Sequence, residues 1–182
     1  MKVLMLFADG FEDVEAIATR DVLVRAGIEV TNAKINEYNQ IVISSHKLSL
    51  TGFLNVKYLK SHEYDALIIP GGSRGVNNLL ASEEVNRLVK AFNDEHKYIC
   101  AICAGPMVLS KAGVLKDKRF TCYPGCEEGL EGIYTGEEVV KDDKIITARS
   151  MLYSIPFGLE IIGTLLGKET RDRIYRQIAG LK

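Results

Sequence analysis

Apolar runs of strand length alternate with amphipathic stretches of helix length along this chain, and that alternation admits few architectures. Residues 3–8 are followed by 14–26, then 28–33, and later by Ala66–Ile69, 85–92 and Tyr98–Ile102. This is the pattern of successive βαβ units, which fold as a mostly parallel sheet with helices on both faces. The first helix is predicted to begin after the Asp9–Gly10 turn, with Glu12, Asp13 and Glu15 favoured by the positive end of its dipole and Gly27 closing it. Its apolar stripe reads Val14, Ile17, Ala18 and Leu23. Residues 41–51 alternate with period two and are expected to form a small hairpin added to the main sheet. Ser82, ahead of Glu83 and Glu84, caps a helix running to about residue 95. A short strand near Phe120, a second hairpin pairing residues 139–141 with 144–148, and two terminal helices complete one three-layer α/β domain spanning 1–182.

Composition narrows the function. The 182 residues are 47% hydrophobic, with 23 Lys+Arg against 24 Asp+Glu and a formal net charge of -1. No basic excess exists to neutralise phosphates, so nucleic acid is not an expected partner. The apolar run at residues 3–8 is too short for a signal peptide, and no stretch approaches membrane-spanning length. A cytoplasmic protein is expected, whose four cysteines serve as thiols, metal ligands or catalysts.

The segment Lys97-Tyr-Ile-Cys-Ala-Ile-Cys-Ala-Gly-Pro-Met-Val-Leu runs an apolar strand into Cys103, after which Ala104-Gly105-Pro106 opens a helix. A strand–nucleophile–helix turn of this kind presents a side chain at the carboxyl edge of the sheet beside free backbone N–H groups. A free thiol of ordinary pKa is only about 3% ionised at pH 7, whereas cysteines at helix N-termini ionise more readily. Cys103 is therefore a candidate reactive thiolate, the alternative being a small hydrophobe at a buried strand end. Pro70-Gly71-Gly72-Ser73 follows another buried strand and reaches the same edge, where its glycines offer N–H groups as an oxyanion hole or form a plain turn. Glu15, one turn into the first helix, either projects over that edge or is a solvated partner of the helix dipole. If it approaches the thiolate, it must be protonated and donate a hydrogen bond.

The three histidines are poor bases for this thiol. His96 precedes the strand ending at Cys103 and lies roughly 20 Å away on the opposite edge. His62 precedes the 66–69 strand and fails in the same way. His46, in the hairpin, cannot be placed from sequence. Cys100-x2-Cys103 with Cys122-x3-Cys126 has the spacing of a four-thiolate zinc site, but Cys100 lies inside an apolar strand, whereas zinc ligands come from converging turns. No metal is assigned.

Four segments, in order, carry a resemblance that covers nearly the whole chain: Ala8-Asp-Gly-Phe-Glu-Asp-Val-Glu15, Arg25-Ala-Gly-Ile-Glu-Val30, Tyr64-Asp-Ala-Leu-Ile-Ile-Pro-Gly-Gly72 and Ala101-Ile-Cys-Ala-Gly-Pro106. Together they resemble the ThiJ/PfpI superfamily, in its parkinsonism-associated deglycase (DJ-one) branch. The resemblance implies a flavodoxin-like sandwich, a homodimer, Cys103 as the reactive and oxidisable cysteine, Glu15 as its protonated partner, and Gly72 and Ala104 as backbone oxyanion donors. Two departures stand out. Where several members carry a histidine before a proline near the active cysteine, this chain has Tyr123, and a phenol donates a hydrogen bond but is a poor base near neutral pH. The Gly-Pro-Gly-Thr run that often follows the arginine is here Arg149-Ser-Met-Leu-Tyr153, so bulkier Met151 and Leu152 are expected to narrow the pocket.

Ala104 stands where the protease branch carries histidine, and no His-x-Glu of the amidotransferases is present, so neither activity is expected. The resemblance implies cofactor-independent glyoxalase or deglycase chemistry on a small reactive carbonyl. Its alternatives are sensing of an oxidant through a Cys103 sulfinate and a chaperone-like role.

Overall fold

The computed structural model describes residues 1–35 and 40–181. In chain order the elements are β1 (Lys2–Phe7), α1 (Asp13–Arg25), β2 (Glu29–Lys34), β3 (Val42–Ile43), β4 (Ser49–Leu50), β5 (Leu54–Asn55), β6 (Ala66–Ile69), α2 (Ser73–Leu80) and α3 (Glu83–Asp94). There follow β7 (Tyr98–Ile102), α4 (Pro106–Lys111), β8 (Arg119–Phe120), β9 (Ile133–Tyr134), β10 (Val139–Asp142), β11 (Ile145–Ala148), α5 (Ser154–Leu166) and α6 (Lys168–Ile178).

Seven strands form one sheet in the order β10-β11-β7-β6-β1-β2-β5, parallel throughout except for the β10–β11 hairpin at one edge. The period of two along each strand divides the core into two layers. Leu4, Leu6, Leu67, Ile69, Ile99 and Ala101 pack with residues of α2, α3 and α4, including Val76, Leu88, Phe92 and Val108. Val3, Met5, Phe7, Ile68, Cys100 and Ile102 pack on the other side with Val22 and Leu23 of α1, Phe157 and Ile161 of α5, and Ile174 of α6. Strands buried on both faces read as continuous apolar runs, which is why they stood out in the sequence. Each fully buried Leu, Ile or Phe contributes roughly 1.5–3 kcal/mol through its removal from water. The sandwich is therefore the expected three-layer, mostly parallel fold, and among the described residues no helix is long and apolar enough to cross a membrane.

Two expectations are corrected. In α1 the buried residues are Glu15, Ala16, Thr19, Val22 and Leu23, while Val14 and Ile17 of the expected stripe are exposed. The helix is apolar on two sides. The inward side is selected by docking on α5, where Thr19 Oγ1 donates to Ser154 O at 3.4 Å and Val22 lies against Gly158. The hairpin of residues 41–51 forms, but as a separate two-stranded sheet, because β5 occupies the place beside β2. It covers the loop after β1 instead: Gly10 N donates to Ile43 O at 2.7 Å and Ser45 N to Phe11 O at 2.8 Å. Helix α2 was not read from the sequence.

Candidate active site

The chain runs from β1 outward to β2 and β5, then returns to β6 on the other side of β1. Such a reversal point, at the carboxyl ends of the strands, is where open α/β sheets bind ligands. Four connections meet there. Glu15 comes from the helix after β1, Gly71 and Gly72 from the loop after β6, Cys103 from the turn after β7, and Arg149 from the end of β11.

Cys103 is the pivot. Its φ of 61° puts a non-glycine residue in the left-handed region, a conformation costing roughly 1–3 kcal/mol that persists only where the surroundings impose it. They do so from both sides. Cys103 N donates to Ala148 O and Tyr123 N donates to Cys103 O, each at 2.9 Å. The next residues turn at once into α4, with Gly105 N donating to Ile102 O at 2.9 Å. Sulfur is thereby held beside the backbone N–H groups of Ala104 and Gly72, which favour negative charge on it.

Glu15 is 1% exposed and accepts the Gly71 N–H at 2.8 Å through Oε2. Its carboxyl group also faces the Cys103 side chain across Gly71. The solvated-glutamate alternative is thus excluded. Gly71 must be glycine: a Cβ there would collide with the Glu15 carboxyl and stand 2.7 Å from Cys103 Cβ. Gly72 has φ 92°, and a Cβ would come within 2.6 Å of Glu12 N.

The pair is tightly coupled. Burial raises the Glu15 carboxyl from the ordinary carboxylate range to about 7; the Cys103 hydrogen bond opposes this, the Glu12 charge adds to it, and the Gly71 N–H opposes it. Burial likewise pushes the Cys103 thiol upward, and an ionised Glu15 pushes it further, against the Ala104 and Gly72 N–H groups. The thiol is therefore not lowered simply by its position at a helix start. When Glu15 is protonated its repulsion vanishes and its O–H becomes a donor, so negative charge on sulfur requires the proton on the carboxyl. Burial therefore disfavours charge on either group, and a charge on one disfavours a charge on the other.

The remaining candidates lie nearby but are engaged differently. Tyr123 supports the Cys103 carbonyl through its backbone, while its side chain is 51% exposed. Arg149 donates Nη1 to Gly136 O at 2.9 Å and Nη2 to the Tyr153 hydroxyl, with its guanidinium 4.9 Å from the centre of that ring. Met151 and Leu152, expected to narrow the pocket, are exposed. His62 and His96 precede β6 and β7 at the far edge. His46 joins the carboxyl edge, its Nδ1 2.9 Å from Asp13 Oδ2, and Asp13 also accepts from Ser44 Oγ at 2.6 Å.

No four-thiolate site forms. Cys100 and Cys103 pack with the α1–α5–α6 layer, whereas Cys122 and Cys126 pack with the opposite layer. The hydrogen-bonded cap Glu12–Asp13–His46 is the one group of three metal-capable side chains gathered among the described residues.

Sequence reasoning read Glu12 as a partner of the helix dipole and missed its role as the cap. It is the N-cap of α1, its Oε2 accepting Glu15 N at 2.7 Å, and its own N–H donates to Gly71 O at 3.0 Å. Glutamate is an uncommon cap, so the usual Ser/Thr/Asp/Asn signal was absent.

Fold and site define a class: an α/β protein with a cysteine at a strand–helix elbow, partnered by a buried carboxyl group. The sequence pattern of the DJ-1/PfpI family matches residues 1–164, and the chain belongs to that family. Protein dj-1beta of Drosophila melanogaster is 36% identical over 169 residues, covering 91% of this chain and 90% of its own length. Its crystal structure superposes with a TM-score of 0.92 at 33% identity, covering 100% and 98% of the two chains. A Pyrococcus abyssi protein named a deglycase is 34% identical over 152 residues, covering 82% of this chain and 90% of its own length. An oxidised Toxoplasma gondii DJ-1 structure gives a TM-score of 0.88 at 30% identity, covering 98% and 97% of the two chains.

Proposed function

We propose that this protein is a cysteine-dependent glyoxalase or deglycase acting on 2-oxoaldehydes such as methylglyoxal, or on their protein adducts. The observation that carries the reading is the Cys103–Glu15 pair, a strained elbow thiol facing a buried carboxyl group with two backbone N–H groups beside sulfur. The Cys103 thiolate forms a C–S bond to the aldehyde carbon, and the carbonyl electron pair moves onto oxygen, which takes the Glu15 proton. The Glu15 carboxylate then accepts the proton from that carbon and delivers one to the neighbouring carbon, while the hydroxyl on the first carbon passes its proton to the neighbouring oxygen, leaving a thioester. Water cleaves the thioester, releasing the hydroxy acid and restoring the thiol. Only water is consumed, so the scheme calls on no cofactor. The relative named a deglycase supports the substrate class.

The test is conversion of methylglyoxal to lactate by purified protein free of glutathione. The wild type turns over, and Cys103→Ser does not. Lactate formation by Cys103→Ser at the wild-type rate would overturn the mechanism.

A second reading, an oxidant sensor, is favoured by the same N–H pair and Glu15 O–H, which suit the oxygens of a Cys103 sulfinate, and by the oxidised relative. Stoichiometric Cys103 oxidation by peroxide without lactate production would select it. In either reading the partner proposed for the exposed residues Val14, Ile17, Met151 and Leu152 is a second copy of the chain. Four free thiols suit a reducing cytoplasm.

A further inference from the structure

The cap of α1 and the Cys103–Glu15 pair are connected by a closed set of hydrogen bonds. Gly71 uses both backbone groups: its N–H binds the Glu15 carboxyl at 2.8 Å and its C=O accepts Glu12 N at 3.0 Å. Glu12 completes the circuit by accepting Glu15 N at 2.7 Å. A carboxylate here does two things, of which only the second is beyond a serine or threonine cap. It fixes the main chain from which Glu15 projects, and it sets a negative charge on the Glu15 side of the pair.

The groups facing the Glu15 carboxyl can be enumerated by element. The elbow after β7 contributes the Cys103 thiol, the loop after β6 the Gly71 N–H, and α1 itself Glu12. Arg149, after β11, is turned to Gly136 O and the Tyr153 hydroxyl. Glu12 is thus the charged side chain that acts on the Glu15 carboxyl, its charge favouring the protonated form. Its repulsion falls more heavily on the carboxylate, whose own backbone it holds, than on sulfur beyond it.

We propose that Glu12 is a positioning residue for the reactive pair: its carboxylate anchors Glu15 and its charge keeps the proton on the Glu15 carboxyl, leaving the negative charge on Cys103 sulfur. This rests on Cys103–Glu15 being the reactive pair and is independent of which substrate that pair serves.

The experiment is the pH–rate profile of Cys103 alkylation by iodoacetamide, resolved by peptide mass spectrometry. Glu12→Gln keeps an oxygen for the Glu15 N–H and removes the charge; alkylation between pH 6 and 7 is expected to fall about 3- to 10-fold. Glu12→Ser, a good helix cap without charge, gives the same loss. Glu12→Asp, which caps and stays charged, restores most of the rate. Wild-type profiles in both neutral variants would overturn the proposal, as would an Asp variant as slow as Gln, since geometry rather than charge would then govern the thiol. Methylglyoxal turnover is scored separately. A shifted alkylation profile in a protein without turnover would sink the substrate reading and leave Glu12 standing; turnover with an unshifted profile would do the reverse.

Discussion

Cys100 and Cys103 lie three residues apart on one strand and its following turn, and they are chemically opposite. Cys100 is fully buried in the apolar layer with Ile102 and Phe157, and burial drives its thiol far above the ordinary range. Cys103 is also raised by burial, but it alone of the two meets a carboxyl group and two backbone N–H donors. The difference is made by the turn, not by the strand. A φ of 61° at Cys103 lifts its side chain out of the sheet's alternation and into the place where the loops after β1 and β6 converge. In the proposed function, nucleophilicity comes from backbone convergence, and a cysteine without it is filling.

The largest expected effect comes from removing the reactive member. Cys103→Ser is expected to abolish turnover, a loss of at least about 1000-fold measured as lactate formation, because the hydroxyl has no base able to ionise it. Glu15→Gln keeps the shape and removes the proton carrier; turnover should fall by about 100-fold or more, with a normal circular-dichroism spectrum and melting curve at pH 5. Gly71→Ala drives a methyl between the two partners. About 1–3 kcal/mol of stability and at least about 10-fold of activity should be lost, read from chemical denaturation and initial rates.

Stability against pH sharpens the comparison. Glu15 is raised to about 7 by burial, so between the ordinary carboxylate range and 7 the folded protein binds more protons than the unfolded chain. Stability therefore declines as pH rises through this window. The contribution present at pH 4 is gone by pH 8, on the order of 3 kcal/mol, and Glu15→Gln should flatten that slope in urea titrations. The smallest change is expected at the other cysteine. Cys100→Ser places a hydroxyl in an apolar layer at a cost of about 1–3 kcal/mol, with the alkylation rate of Cys103 unchanged.

Much of the fold could be read in advance because buried parallel strands announce themselves. The 66–69 and 98–102 strands appear with the predicted bounds, and Ser82 caps α3 by accepting Val85 N at 3.3 Å. Where two surfaces of one element are apolar, periodicity cannot say which goes inward. In α1, Val14 and Ile17 are as hydrophobic as Val22 and Leu23, and only the position of α5 decides between them. The hairpin's placement failed for a related reason, since β5 comes later in the chain and takes the vacant edge of β2. At the site, Cys103 was legible from the apolar strand feeding a Gly-Pro helix start, and Glu15 from its place after the first strand. The coupling between them was not, because it depends on the Gly71 backbone and on Glu12, neither of which carries a periodic or capping signal.

The central claim is that convergence of loops, rather than the presence of a thiol, makes Cys103 the reactive group. Its most direct test is the rate of alkylation at each of the four cysteines in the native protein at pH 7, resolved by mass spectrometry. Cys103 is expected to react at least about 100-fold faster than Cys100 and Cys122, because burial raises all three thiols but only Cys103 has backbone N–H groups facing its sulfur. Equal rates at Cys103 and Cys100, or no Cys103 reaction until the protein is unfolded, would contradict it.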